Sequence, residues 1–493
     1  MGLKHNKWFL SGLVAFALLF TALLLLRTGT ISLQHPRETT ATLTKAGFLV
    51  SSERWMNILQ GERKIGTAHS RLEPAESGYH LSEKVTMRLN TMGLVQDLVL
   101  DSRGWLKPDL TLARFAFVMQ SGLYTFEARG RVEDHHLVCQ IRSGDDERRL
   151  RLPLQAPPYL PSGIFPAVAA SGLAPGARRV FPIFDPATMT TEDIVLTLRD
   201  RETITLGDKS VEAWKVDLSF KGVSQEVWMD GQGQVLMEEG LLGIRQVRVT
   251  REEALSGRPV TASEDLTGVV AVVPDRPLPD PAHLIRLTLQ LEGIDPARYQ
   301  LDQGRQRLEG NRLTLSRENL SGLPPRLELA TLPPEAAANR APSTFVQSDH
   351  PKIKALAARL VIPDDTPLAN LQRLVAWIRT NIEPRPVLSL PDALNTLDQR
   401  MGDCNEHAVL LAALARAAGY PAQVEAGLVY HQGKFLYHAW NRIYIDRWIT
   451  VDVLFDQIPA DVTHIRFAQG TAGKQLDLLP LLGNLKIRVV AME

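Results

Sequence analysis

The chain is short of cysteine, of aromatic residues and of net charge. Its 493 residues include two cysteines, Cys139 and Cys404, and 6% aromatic residues, while 55 basic and 55 acidic side chains give a net charge of zero. Two cysteines cannot build the disulfide framework of a small secreted protein. A neutral chain without a long basic run is not suited to binding nucleic acid, so we expect no nucleic-acid partner.

Clusters with metal-ligand spacing are also missing. The sequence holds no C-x-x-C pair, no H-E-x-x-H motif and no EF-hand loop. The nearest approaches are the adjacent His135 and His136 and the pair Cys404 and His407. That pair lacks two of the four ligands that a structural zinc site needs. We therefore expect no metal and no cofactor.

Long hydrophobic runs are rare, and one stands near the N-terminus. Residues Trp8–Leu26 carry no charge, and their length is close to the ~20 residues that span a bilayer. Lys4 and Lys7 precede the run, so the positive-inside rule places the N-terminus in the cytoplasm. The alternative, a cleaved signal peptide, lacks a small-x-small site after Leu26. We expect a single-pass anchor in the cytoplasmic membrane, with a periplasmic or otherwise extracytoplasmic body.

The most informative stretch surrounds the second cysteine. Asp403 suits the N-cap of a helix, and Glu406 completes a capping box. Nearly every residue from Ala408 to Ala418 is apolar, so this helix should be buried on most faces. A thiol at a helix N-terminus feels the positive end of the macrodipole, which favours the thiolate. Cys404 is therefore either a nucleophile or a small core residue.

Two β-rich runs downstream supply partners for such a nucleophile. They span Phe435–Ile445 and Trp448–Phe455, and they hold His438 and Asp452 respectively. A nucleophile at a helix end, a base on a strand and an orienting carboxylate on the next strand form a cysteine triad. Either residue alone has an ordinary structural explanation, whereas the three types in this order favour catalysis.

The connection between the two runs sets a geometric condition. Side chains alternate between the faces of a strand. A two-residue loop would pair Ile445 with Trp448 and place His438 and Asp452 on opposite faces. A three-residue connection or a bulge pairs Tyr444 with Trp448 and brings the two side chains to one face. A working triad therefore requires the odd-length connection.

Three short segments match a known family in residue type and order: Gly402–Ala408, His438–Trp440 and Trp448–Asp452. They resemble the transglutaminase-like core domain, a branch of the papain-like cysteine fold, over roughly residues 350–470. The resemblance implies Cys404 as nucleophile, His438 as general base and acid, and Asp452 as orienting group. The chain departs from the usual pattern at Arg442, Asp446-Arg447 and Val453, and none of these departures removes a catalytic atom.

The chemistry of such a site is attack of the Cys404 thiolate on an amide carbonyl, in a glutamine side chain or a peptide bond. The backbone N–H of Cys404 can donate to the developing oxyanion. Gln399, just upstream, is a candidate for a second donor, although a solvated loop glutamine is the simpler interpretation. Water or an amine then resolves the thioester, and the sequence does not choose between them.

The rest of the chain predicts a multi-domain α+β protein with a large antiparallel β region. Tyr79–Asn90 alternates apolar and polar residues, as a half-buried strand does. On its pattern and on the fragments Gly61–Gly66 and Val227–Leu236, the region resembles the curved sheets of periplasmic lipid-carrier-like domains. The expected segments are a cytoplasmic tip and transmembrane anchor (1–27), a spacer (28–50), an antiparallel β domain (51–256), a Pro-rich linker (257–283), a small β domain (284–335), a transglutaminase-like catalytic domain (345–475) and a C-terminal strand or tail (476–493).

Together these features predict a cysteine peptidase, amidase or transglutaminase-type acyltransferase that works through a Cys404 thioester. Its substrate would be a protein or peptide of the cell envelope, at the outer face of the cytoplasmic membrane. The alternatives are a catalytically silent envelope scaffold and a lipid- or peptide-binding protein that retains the fold.

Overall fold

The structure, a computed structural model, describes residues 50–493 except positions 92, 123, 145, 173, 222, 267–269 and 471. The anchor expected at Trp8–Leu26 lies outside these residues. Among the helices of the described part, none has the length and apolar character needed to span a bilayer. The described residues fall into two compact units, residues 50–266 with Leu388–Leu390, and residues 270–387 with Pro391–Glu493.

The first unit is built on a single antiparallel sheet of 14 strands. Neighbours in the sheet follow the order β8-β7-β6-β5-β4-β3-β2-β1-β14-β13-β12-β11-β10-β9. The strands are β1 (Ser52–Gln60), β2 (Arg63–Ala75), β3 (Gly78–Thr91), β4 (Leu94–Leu106), β5 (Leu112–Ser121), β6 (Tyr124–Glu133), β7 (His136–Ser143), β8 (Asp146–Pro153), β9 (Arg178–Asp185), β10 (Thr190–Leu206), β11 (Lys209–Phe220), β12 (Val223–Met229), β13 (Val235–Glu239) and β14 (Ile244–Val249). Two short helices accompany them, α1 (Ile164–Ala170) and α2 (Arg251–Ser256).

Alternation along the strands gives this sheet its apolar face. In β3 the residues predicted to point inward are all buried: Tyr79, Leu81, Val85, Met87 and Leu89. Cys139 on β7 is also buried and carries a free thiol. The sequence expectation of a half-buried antiparallel sheet is therefore confirmed for this strand.

The second unit contains a small antiparallel sheet ordered β16-β17-β15-β24. Its strands are β15 (Arg286–Glu292), β16 (Gln306–Glu309), β17 (Arg312–Ser316) and β24 (Lys486–Met492). Leu287, Leu289 and Leu291 of β15 are fully buried. Because β24 pairs with β15, the last residues of the chain return to this sheet.

The remainder of the second unit combines helices with a four-stranded sheet ordered β22-β21-β20-β23. The helices are α3 (Pro334–Ala338), α4 (Pro351–Leu360), α5 (Pro367–Asn381), α6 (Ala393–Gln399), α7 (Cys404–Ala417) and α8 (Ala472–Gln475). The strands are β20 (Ala422–His431), β21 (Lys434–Tyr444), β22 (Trp448–Val451) and β23 (Ile465–Gln469), with a separate parallel pair β18 (Glu383–Pro384) and β19 (Met401–Gly402).

Helix α7 and strand β21 pack together and position the candidate site. The Asn441 side chain on β21 donates to the Ala408 carbonyl of α7 at 2.9 Å. The next strand, β22, ends at Val451, so the expectation of a strand continuing to Phe455 is wrong. Asp452 lies just beyond the strand, where the chain turns, and its backbone exchanges two hydrogen bonds with Gln457.

Candidate functional site

The site begins with the capped N-terminus of α7. The Asp403 carboxylate accepts the Asn405 backbone N–H at 2.8 Å, and the Glu406 carboxylate accepts the Asp403 N–H at 3.0 Å. This is the capping box expected from the sequence. It fixes Cys404 as the first helical residue, with its side chain 1% exposed.

His438 and Asp452 meet because the hairpin has the odd-length connection. Tyr444 pairs with Trp448, which leaves three residues between the strands. The geometric condition set by the sequence is therefore met. His438 Nε2 donates to Asp452 Oδ2 at 2.6 Å, and both side chains are buried.

The Cys404 thiol lies beside the residue that follows His438. The Ala439 backbone N–H donates to the Cys404 sulfur. His438 Nδ1 is buried and has no hydrogen-bond partner among the described residues. Because Nε2 carries the proton shared with Asp452, a neutral His438 ring has its lone pair on Nδ1. That nitrogen is the one free to accept a proton.

The electrostatics at Cys404 differ from the sequence expectation. Burial raises the pKa of the Cys404 thiol well above its ordinary value, and the nearby Asp403 carboxylate raises it further. The Ala439 N–H lowers the pKa but does not reverse the shift. The expectation that the helix terminus favours a thiolate is therefore wrong for this closed site. Burial and the acidic residues of the cap both disfavour the thiolate.

Asp452 accepts four hydrogen bonds. Oδ2 accepts from His438 and, at 2.9 Å, from His464 Nε2, while Oδ1 accepts the backbone N–H groups of Leu454 and Phe455 at 2.8 and 3.0 Å. Burial alone would raise the pKa of Asp452, but His438 and His464 lower it well below its usual range. The carboxylate is thus held ionised and in one orientation.

His464 is a member of the cluster that sequence reasoning missed. Its Nδ1 faces Asp461 Oδ1 at 3.2 Å, so each ring nitrogen meets a carboxylate. Burial disfavours the charged ring, but Asp461 and Asp452 outweigh it and raise the pKa of His464 to about 9. The available signal was an aspartate three residues before a histidine, within the expected catalytic domain.

Three of these side chains cluster closely enough to be considered as a metal site. One ligand atom each from His438, Asp452 and His464 lies within 4.8 Å of the others. Two of the separations, 2.6 and 2.9 Å, are hydrogen-bond lengths. Donor atoms sharing a tetrahedral zinc ion stand ~3.3 Å apart, given bonds of about 2.0 Å. The spacing therefore fits proton sharing better than metal coordination.

The oxyanion donors expected from the sequence are placed differently. The Cys404 N–H stands in the first turn of α7, where helical geometry supplies no intrahelical acceptor. Gln399 is exposed at the end of α6, and no described contact joins it to the site. Asn405 Nδ2, next to the nucleophile, is buried without an acceptor among the described residues, while Gln475 donates to its Oδ1 at 2.8 Å.

Comparisons with known proteins agree with this geometry. Residues 354–453 match the sequence profile described as the transglutaminase-like superfamily. No curated protein matches the chain.

Solved structures show weaker likenesses. The chain is 17% identical to a "Putative Cysteine Protease" from Cytophaga hutchinsonii, covering 42% of this chain and 86% of that one with a TM-score of 0.28. It is 12% identical to a β-barrel-like protein of unknown function from Brucella abortus, covering 41% and 96% with a TM-score of 0.33. It is also 9% identical to a "Putative Protease" from Parabacteroides distasonis, covering 71% and 67% with a TM-score of 0.21. TM-scores this low add nothing to the family match.

The matched range contains the capped helix, both strands of the hairpin and all three residues singled out in the sequence. The chain therefore carries a transglutaminase-like domain over residues 354–453.

Proposed function

We propose that the protein is a cysteine-dependent enzyme that cleaves or transfers acyl groups at amide bonds, with Cys404 as nucleophile, His438 as base and acid, and Asp452 as orienting group. One observation carries the proposal. His438 bonds Asp452 through Nε2, keeps Nδ1 without a partner among the described residues, and precedes the residue whose N–H meets the Cys404 sulfur. A nucleophile, a free base nitrogen and an oriented ring are what acyl transfer requires.

The first half of the reaction acylates the enzyme. The Cys404 sulfur bonds to the amide carbonyl carbon while its proton passes to His438 Nδ1. The carbonyl oxygen becomes an oxyanion, which the Cys404 N–H at the start of α7 stabilises. When the tetrahedral intermediate collapses, the C–N bond breaks, His438 returns the proton to the leaving amine, and a thioester remains.

The second half releases the acyl group. Water or an amine attacks the thioester carbon and gives its proton to His438, the C–S bond breaks, and the proton returns to the sulfur. Because burial raises the pKa of Cys404, the thiol is protonated at rest. We therefore assign His438 the role of a general base that removes the proton during attack, rather than the partner of a preformed thiolate.

The substrate we propose is a protein or peptide of the cell envelope. This part rests on the apolar run Trp8–Leu26 in the sequence, which would tether the enzyme at the outer face of the cytoplasmic membrane. Hydrolysis and amine transfer share every step up to the thioester, so both remain within the proposal.

A catalytically silent scaffold is the second candidate, and burial favours it. Cys404, His438 and Asp452 are exposed by only 1%, 3% and 1%. A substrate must therefore displace part of the surrounding chain before it reaches the sulfur. A scaffold that retained only the fold would not need to expose the sulfur in this way.

Envelope proteins from cells producing the wild type, Cys404→Ala or Cys139→Ala separate the candidates. Mass spectrometry should find cleaved or cross-linked peptides with the wild type and with Cys139→Ala, and none with Cys404→Ala. Identical peptide sets from all three strains would support the silent scaffold and remove the catalytic proposal.

A further inference from the structure

A second histidine touches the same carboxylate oxygen that orients His438. Asp452 Oδ2 lies 2.6 Å from His438 Nε2 and 2.9 Å from His464 Nε2. The centroids of the two imidazole rings are 6.1 Å apart, and His464 is 0% exposed. Since both rings are buried and contact the same carboxylate oxygen, any charge on His464 acts strongly on His438.

The hydrogen bonds of His464 fix its charge. Nε2 faces Asp452 and Nδ1 faces Asp461 at 3.2 Å. An ionised carboxylate only accepts hydrogen bonds, so both ring nitrogens must carry protons. Asp461 is kept ionised by further donors, the Thr463 N–H at 2.8 Å and the Gln457 side-chain amide at 2.9 Å. His464 is therefore an imidazolium between two anions.

The backbone that carries this ion pair is anchored to the small sheet. The Arg305 guanidinium, just before β16, donates to the carbonyls of Ala460, Asp461 and His464 at 2.6, 2.8 and 3.1 Å. The Arg305 side chain is 7% exposed and approaches Glu318 at 3.7 Å. The loop therefore has little freedom to move His464 away from Asp452.

The charged and titratable groups around His438 and His464 come from several elements. They are Asp452 and Asp461 on the loops that follow β22, Arg305 and Glu318 beside the small sheet, Asp403, Cys404, Glu406 and His407 at the start of α7, and His431 at the end of β20. The rings of Trp440 and Phe455 close the remaining sides of His464 at 5.1 and 5.9 Å.

We propose that His464 is a positioning residue, whose fixed positive charge holds the Asp452 carboxylate in line with His438 and limits how firmly His438 binds a proton. The inference rests on the proposed function, because a base that takes the thiol proton must be neutral before substrate arrives. Two carboxylates near His438 would otherwise keep a proton on its ring.

The size of the effect follows from the distance. At the separation of the two rings, 6.1 Å, and in a partly screened interior, one unit charge changes the proton affinity of its neighbour by roughly one to two pH units. Removing the charge of His464 should raise the pH at which His438 loses its proton by that amount. Removing the negative charge of Asp461 should lower that pH, because one of the anions that favour a proton on His438 is lost. His464 keeps its own proton in this variant, since it still has Asp452 as a partner.

Nuclear magnetic resonance titration of ¹⁵N-histidine in the full chain tests this without a substrate. The wild type should show one ring, absent from His464→Gln, that stays doubly protonated at pH 8. The His438 titration should move up by roughly one to two pH units in His464→Gln and down in Asp461→Asn. His283→Gln is the matched control, since His283 also pairs with an aspartate but is 81% exposed.

Opposite shifts in the two variants would establish an electrostatic role, which mere support of the loop cannot produce. If His464→Gln fails to fold, the direction in which the His438 titration shifts in Asp461→Asn still tests the inference. An unchanged His438 titration, or shifts of the same sign in both variants, would overturn the inference. The proposed function is tested separately by the effect of His438→Gln on Cys404 alkylation, so the two can fail independently.

Discussion

Two buried carboxylates, one in each unit, respond to burial in opposite ways. Glu238 in the large sheet is 6% exposed and accepts side-chain amides of Gln225 and Gln246 at 3.3 and 3.2 Å. Burial raises the pKa of Glu238 to about 7, with Arg54 opposing the shift. Asp452 is only 1% exposed, yet its pKa lies well below the usual range.

The two pKa values differ because of the hydrogen-bond donors around each carboxylate, rather than because of how deeply each carboxylate is buried. Glu238 meets two neutral amides at long distances, whereas Asp452 meets two imidazole rings and two backbone N–H groups. Charged and short hydrogen bonds offset the loss of hydration, and neutral long ones do not. The sheet accommodates an acid by letting it protonate, while the candidate site keeps its acid ionised.

Asp452→Asn should have the largest effect of the variants considered, because it removes the ionised carboxylate from the candidate site. An asparagine has one acceptor oxygen for four donors, so its N–H₂ group must face either the two histidines or the backbone N–H groups of Leu454 and Phe455, and His438 loses its fixed orientation. We expect turnover of an envelope peptide to fall by about 10³- to 10⁴-fold. Asp446→Asn, at an exposed position in the same hairpin, is the control and should retain activity.

Glu238→Gln should change stability rather than activity. Because the folded pKa of Glu238 is raised from 4.5 to about 7, the wild type loses stability as pH rises through this interval. The glutamine variant has no proton to lose, so at pH 8 it should be more stable by up to about 3 kcal/mol. Urea unfolding at pH 5 and pH 8 measures this, and equal pH dependence in both proteins would contradict it.

Glu406→Gln should have a smaller effect, which is confined to the pKa of the Cys404 thiol. The glutamine carbonyl can still accept the Asp403 N–H and preserve the capping box, but it removes a charge that raises the pKa of Cys404. We expect the thiol pKa to fall, because one of the nearby negative charges that disfavour the thiolate is removed. The pH dependence of Cys404 alkylation reports the shift, with Cys139 in the same molecule as the internal standard.

The local features of the site were predictable from the sequence. Asp403 and Glu406 form the expected capping box. The sequence left the length of the hairpin open and set an odd-length connection as the condition for a triad, and the three-residue connection meets that condition. Both follow from short-range rules, since a cap needs only its own turn and a hairpin needs only its register.

The long-range features were not predictable. His464 reaches Asp452 because the chain turns after Val451 and returns through β23, a course that no local pattern encodes. The raised thiol pKa of Cys404 depends on how completely other elements cover it, and the helix-end rule says nothing about that cover.

Alkylation by iodoacetamide tests the pairing of Cys404 with His438 most directly. Cys139 is the reference, since burial alone raises its pKa to about 11 and no histidine is among the causes. We predict that His438→Gln slows the alkylation of Cys404 near neutral pH, because the base that removes the thiol proton is lost, and leaves the alkylation of Cys139 unchanged. Equal Cys404 rates in the wild type and His438→Gln would contradict the account.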